Sequence, residues 1–399
     1  MIDVAAVEQA RARIASAIYE SPCPRSQTLS ELTGCDLHLK LENLQMTGSF
    51  KERGALNRLL QLAPEQRAAG VVAASAGNHA QGLAFVAGRR GVSTTIVMPT
   101  GTPLIKVSAT RAHGAEVILK GESYDEAAEE AQRIANARGR CLVHPFDDDA
   151  VIAGQGTIGL ELVEQVPDLD AVLVPVGGGG LAAGVATAIK ARKPGAKVYG
   201  VEPSALPSMR RALDAGAPVE LEPARTLADG IAVRSVSPRT LAHGSLLDDI
   251  ALVDEEDIAE AILLLLEREK TVAEGAGAAP LAAVVRGDLP LAGKRVVLLV
   301  SGGNIDVNVV ARIIERGLVK SGRSMRVRVL IPDQPGSLAA LLATTARCNA
   351  NVLEVHHDRL APRTDPGLTA VELVLETRGF DHIAEIGDAI EDAGWLIEA

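Results

Sequence analysis

Val172-Leu173-Val174-Pro175-Val176-Gly177-Gly178-Gly179-Gly180-Leu181 decides the fold. An apolar run meets four glycines, and a small-residue stretch follows to Ala191. The pattern predicts a buried strand, a tight loop and a helix, with the glycines at the helix N-terminus. Backbone N–H groups there are unpaired and face the positive end of the helix dipole, so the turn is an anion cradle. Glycine lets the chain close on an anion and adopt positive φ. No Gly-Lys-Ser/Thr follows, so this is not a nucleoside-triphosphate loop. The spacing also departs from the GxGxxG pattern with a later acidic residue that marks dinucleotide binding. A plain flexible turn is the alternative, and the strand and helix on either side argue against it.

The same strand-loop-helix texture recurs on both sides. Val71-Val72-Ala73-Ala74 stops at Ser75-Ala76-Gly77-Asn78-His79, before a helix expected over about Ala80 to Arg90. Strands are expected at Thr94 to Met98, Ala115 to Leu119 and Val198 to Val201. Another, Val296 to Val300, ends at Ser301-Gly302-Gly303-Asn304. Ser123-Tyr124-Asp125-Glu126 forms a capping box for a helix that Gly139 stops. Strands alternating with helices predict mostly parallel sheets covered on both faces, an α/β architecture. In such sheets the loops after the strands converge on one crevice.

Ser49-Phe50-Lys51-Glu52-Arg53-Gly54 adds a nucleophile. Ser49 is placed to cap a helix from about Phe50 to Leu60. Lys51 then falls in its first turn, where the dipole disfavours a cation and lowers the amine pKa. A neutral amine is what carbonyl chemistry needs. Standing alone, Lys51 also reads as a solvated lysine. Beside two anion-holding loops it reads as the reactive group of a site for an anionic cofactor and an anionic substrate.

Composition bounds the partners. The 399 residues carry 40 basic and 51 acidic side chains, a net charge of −11, and no basic stripe is visible, so nucleic acid is not an expected partner. The longest apolar stretches, such as Ala261 to Leu266, are too short to cross a membrane. Glu8, Arg11 and Arg13 interrupt the N-terminal stretch, so no export signal is expected. The four cysteines are far apart without a CxxC, and they read as reduced thiols of a cytoplasmic protein. No metal site is expected.

The texture changes at Met325. Strand, turn, helix, two strands, helix and strand follow, a βαββαβ unit of the ferredoxin-like kind over 325–399. Residues 319–324 read as a linker and 1–318 as the larger domain, with a smaller subdomain over about 49–150 inserted in it.

These strings resemble, in order, the serine/threonine dehydratase group of fold-type II pyridoxal-phosphate enzymes, the tryptophan synthase β-like fold. Gly48 to Ala55, Ser75 to Gly82, Val151 to Thr157, Gly177 to Gly180 and Ser301 to Asn304 carry the likeness. It extends over about 10–318, and the tail resembles an ACT domain, a small-molecule sensing module. The resemblance implies pyridoxal 5′-phosphate as cofactor and two open parallel-sheet subdomains. Lys51 matches the lysine that bonds the cofactor and takes the α-proton, with Phe50 beside it. Asn78 matches the partner of the ring oxygen, Gly177, Gly178, Gly179 and Gly180 match the phosphate loop, and Ser301 matches the hydroxyl facing the ring nitrogen. Ser75, Ala76, Gly77, Asn78 and His79 match the loop for the substrate carboxylate.

The activity implied is α,β-elimination of water from L-threonine, giving 2-oxobutanoate and ammonia, and from L-serine, giving pyruvate. Racemases of the group carry a serine where this chain has Ala76, which disfavours racemisation. Ser208 stands where relatives with a divalent cation have an acidic ligand. Phe146 replaces a polar residue of serine-acting relatives and points to threonine. Asp333, Leu338 and Asn351 match effector positions of ACT domains. They imply allosteric control by a branched-chain amino acid, isoleucine or valine, within isoleucine biosynthesis. A homodimer or homotetramer is expected. Lyases specific for L-serine or 3-hydroxyaspartate remain open, as does a catalytically silent amino-acid sensor.

Overall fold

Short runs of Val, Ala, Leu and Ile, buried on both faces, build the centre of the N-terminal part. The computed structural model describes residues 1–359 and 367–398. In chain order the strands of this part are β1 (Asp36–Leu41), β2 (Val71–Ala74), β3 (Thr94–Met98), β4 (Glu116–Leu119) and β5 (Cys141–Leu142). They continue with β6 (Ala171–Pro175), β7 (Lys197–Pro203), β8 (Asp249–Val253) and β9 (Arg295–Val300). Two parallel sheets result, one ordered β1-β9-β6-β7-β8 and the other β4-β3-β2-β5. The architecture is thus α/β with two parallel sheets, as the resemblance implied.

Local signals account for several helix ends. Ser123 accepts from the Glu126 N–H at 3.2 Å to start the helix Tyr124–Arg138, and Gly139, at φ +63°, ends it. The tetraglycine leads into the helix Gly180–Arg192, with Gly179 at φ +88°, a conformation only glycine adopts freely. Ser49 behaves otherwise. The helix runs Lys51–Leu60 with Phe50 at its N-cap position, and the buried Ser49 Oγ has no hydrogen-bond partner among the described residues. The Ser49 backbone instead bridges to Gly302, and the Phe50 N–H donates to the Ser301 carbonyl at 3.1 Å. Lys51 is thus anchored to the end of β9 through main chain.

The chain divides into two compact units, Met1–Ile305 and Asp306–Ala399. That division falls before the expected one at residue 318. The helix Val307–Lys320 belongs to the second unit and occupies the start of the stretch read as a linker. Within the second unit, β10 (Ser324–Pro332), β11 (Asn351–Asp358), β12 (Leu368–Glu376) and β13 (Leu396–Glu398) form an antiparallel sheet ordered β11-β12-β10-β13. Helices Ser337–Arg347 and Phe380–Asp392 complete the ferredoxin-like βαββαβ order. The β11–β12 connection lies mostly outside the described residues.

Candidate active site

In the first unit, the C-terminal ends of β1, β2, β5, β6 and β9 all feed loops into one cavity of about 660 Å³. Lys51, Ser75 to His79, Gly177 to Gly180 and Ser301 all line it. The residues singled out from sequence in this unit therefore converge, although they lie up to 251 positions apart (Phe50 to Ser301).

Lys51 is half-buried, and its Nζ donates to the Pro145 carbonyl at 3.1 Å. Its amine is pushed down to about 8, chiefly by burial, with the charge of Glu274 opposing. Burial thus lowers the amine in the direction that the first-turn position also implies. The Phe50 ring centroid lies 5.1 Å from Nζ.

The tetraglycine accepts no side chain. A Cβ on Gly178 would lie 2.3 Å from Phe146 Cδ1, and one on Gly179 would lie 2.6 Å from Met209 Cε. The loop is a tight cradle opening at the start of a 13-residue helix. Its free N–H groups suit a phosphate dianion, and the facing amine suits an aldehyde, so the residues present fit pyridoxal phosphate. Ser301 directly follows β9 with its side chain buried, and a hydroxyl can pair with a ring nitrogen without holding it protonated.

The loop Ser75–His79 precedes the helix Asn78–Gly88. Space around Gly77 is open, and the first-turn N–H groups give it the means to hold a carboxylate. Ala76 has no group that carries a proton. His79 Nε2 donates to the Val143 carbonyl at 3.0 Å, and burial pushes the ring down to about 3, so it is neutral.

Glu274, Lys106 and Arg234 line the cavity but escaped the sequence reading. Glu274, 4% exposed, accepts from Asn78 Nδ2 at 2.6 Å. Burial first, then the charge of Asp229, raises its carboxyl to about 7. The available signal was an acidic residue directly before the small-residue helix Gly275–Arg286. Asp229 pairs with Lys106 at 2.7 Å, and Arg234 with Asp125 at 3.2 Å, so both pairs join the part carrying the small sheet to the part carrying the large one. Glu202 is structural: it accepts from the Met209 and Arg210 N–H groups at 2.8 and 2.9 Å at the start of the helix Ser208–Ala215. Ser208 Oγ lies 3.4 Å from the same carboxylate.

The effector positions lie in the second unit. Asp333 pairs with Arg359 at 3.1 Å, and Asn351 Nδ2 donates to Glu376 at 3.2 Å. Asn351 is aligned with Glu376, which pairs with Ser324 at the start of β10, whereas Asp333 follows the end of β10. Within one chain Asn351 and Asp333 are thus a strand length apart, about 25 Å, and do not form one site.

Comparison with known proteins agrees with this geometry. The family model described as pyridoxal-phosphate dependent enzyme matches residues 14–302. The chain is 49% identical over 398 residues to a protein of Thermotoga maritima named L-threonine ammonia-lyase, covering 100% of this chain and 99% of that protein. A solved threonine deaminase of T.th. superposes with a TM-score of 0.73 at 45% identity, over 76% of this chain and 99% of that one. A maize serine racemase superposes with a TM-score of 0.75 at 33% identity, over 80% and 98%. A glycine cradle, a half-buried lysine and a carboxylate-holding loop at one crevice, with likeness over nearly the whole chain, make this protein a member of the pyridoxal-phosphate dependent enzyme family.

Proposed function

We propose that this chain is an L-threonine ammonia-lyase, converting L-threonine to 2-oxobutanoate and ammonia and L-serine to pyruvate and ammonia. The observation that carries the reading is Lys51, a half-buried amine lowered to about 8, facing the glycine cradle in a cavity where Ala76 brings no hydroxyl. Near-full-length relatives named for threonine deamination support it.

Bound pyridoxal phosphate supplies the electron sink that lets the α C–H bond of an amino acid break. The N–H groups of Gly177 to Gly180 would hold its phosphate and Asn78 would meet its ring oxygen, while Phe50 packs beside Lys51. The Ser75–His79 loop orients the substrate carboxylate. Lys51, whose amine is lowered to about 8, would take the α-proton of the substrate as a neutral base. Ser301 would pair with the ring nitrogen, which a hydroxyl does not hold protonated. The Phe146 ring is an apolar wall that suits the threonine methyl group.

The test is the full-length chain supplied with pyridoxal phosphate and L-threonine. We expect 2-oxobutanoate, and a fall of about 10³-fold or more in Lys51→Ala. Turnover of L-serine to D-serine without 2-oxobutanoate from threonine would refute the reading. The ratio of kcat/KM on threonine, serine and 3-hydroxyaspartate decides between this lyase and its nearest alternatives, and binding without turnover would leave the sensor.

The substrate is an amino acid, and the second unit is read as an ACT-type regulatory domain. Its effector is isoleucine or valine, held by Asp333 and Leu338 of one copy and Asn351 of another. The separation of Asp333 from Asn351 within one chain supports a homodimer or homotetramer. The protein is read as cytoplasmic, supported by four free cysteines and by the lack, among the described residues, of a helix able to cross a membrane.

A further inference from the structure

Glu274 is a buried carboxylate in the cavity wall that the proposed chemistry does not use. It stands at the N-cap position of the helix Gly275–Arg286, yet its side chain makes no capping hydrogen bond. Instead it turns toward Asn78. Gly302 leaves room for this: a Cβ there would lie 2.5 Å from Glu274 Oε1.

The hydrogen bonds form an ordered chain. The Thr47 carbonyl can only accept, and Asn304 Nδ2 donates to it at 2.7 Å. The same nitrogen donates to Asn78 Oδ1 at 2.8 Å. Asn304 thereby uses both of its amide hydrogens. Asn78 must present its oxygen to Asn304, and its nitrogen faces Glu274, to which it donates at 2.6 Å. One Asn78 hydrogen remains, without another acceptor among the described residues, on a side chain that lines the cavity.

We propose that Glu274 is a positioning residue: by accepting one Asn78 N–H it fixes the amide so that the other is presented to the ring oxygen of bound pyridoxal phosphate. The inference rests on the role read for Asn78. Lys51, Lys106 and Asp229 are charged groups whose fields act on Glu274. Its carboxyl, raised to about 7 by burial and by Asp229, keeps an oxygen to accept in either protonation state, so the positioning does not depend on its charge.

The experiment is a double-mutant cycle on the full-length chain. Cofactor dissociation constants are measured by equilibrium dialysis for wild type, Glu274→Ala, Glu274→Gln, Asn78→Ala and the Glu274→Ala/Asn78→Ala pair. The ratio of the bound cofactor's absorbance bands, which follows the protonation of its ring oxygen, is recorded for each. Glu274→Ala is expected to weaken binding about fivefold to tenfold and shift the band ratio. Glu274→Gln keeps an acceptor, so it stays within about twofold of wild type with an unshifted ratio. With Asn78 already replaced, Glu274→Ala adds less than about twofold. Losses that multiply in the pair, a Glu274→Ala chain that binds like wild type, or a Glu274→Gln chain as impaired as Glu274→Ala would each overturn the proposal. A wild-type chain that takes up no cofactor overturns the functional reading as well; a chain that binds cofactor but shows multiplying losses overturns this proposal alone.

Discussion

At the residue scale the reactive group is set by Lys51 and its desolvation. Water withdrawn from an ammonium favours the neutral amine, and the opposing charge of Glu274 does not cancel the effect. The neutral fraction therefore grows as pH rises toward about 8 and saturates above it. Capture of pyridoxal phosphate by the cofactor-free chain should accelerate about tenfold per pH unit below that point and then level off. Stopped-flow absorbance against pH measures this. A rate that keeps climbing to about pH 10, as for a solvated lysine, would show that Lys51 is not desolvated. Lys51 was legible because Gly48 and Ser49 precede it in a strand-to-helix turn. Glu274 was not, because its partner Asn78 is 196 positions away in the chain.

At the element scale the Lys51 helix is held from below by buried charge. Arg53, one turn from the cavity, donates to Glu42 at 2.8 and 2.7 Å and to Glu161 at 2.5 and 2.9 Å. Lys40 of β1 reaches the same Glu161 at 2.5 Å. Strand β1, the helix Lys51–Leu60 and the helix Asp149–Gln165 are thus tied through one ionic network. The two helices also touch glycine on glycine: a Cβ on Gly154 would lie 2.6 Å from Gly54 Cα. Removing one member of a buried network strands the others, so Arg53→Met should cost about 3–5 kcal/mol. Urea unfolding of the full-length chain checks this, and a loss below about 1 kcal/mol would mean that water or a neighbour replaces the guanidinium. The sequence shows Glu42, Arg53 and Glu161 as ordinary charges, since nothing in the local pattern distinguishes a buried arginine from an exposed one.

At the scale of the whole molecule the C-terminal unit should act between copies. Its sheet register places Asp333 and Asn351 at opposite ends, so a ligand touching both needs two chains. Light scattering of the full-length protein should give a mass of two or four chains, and millimolar isoleucine or valine should change the rate on threonine. A monomer whose rate no amino acid alters would refute the regulatory reading. The expected domain boundary missed the helix Val307–Lys320 as part of the second unit because the apolar face of an amphipathic helix does not say which core will cover it.

By itself, the sequence determined most of the strands, though not β5 or β8, together with the glycine loops, the Ser123 and Gly139 helix ends and the βαββαβ order of the tail. Each rests on short-range rules: apolar periodicity, positive φ and capping act within a few residues. Only the tertiary structure decided that Ser49 caps nothing, that burial lowers the Lys51 amine, and that Thr47, Asn304, Asn78 and Glu274 form one chain of hydrogen bonds. Desolvation and long-range hydrogen bonding depend on which distant segments meet, and that is settled when the sheets close around the cavity.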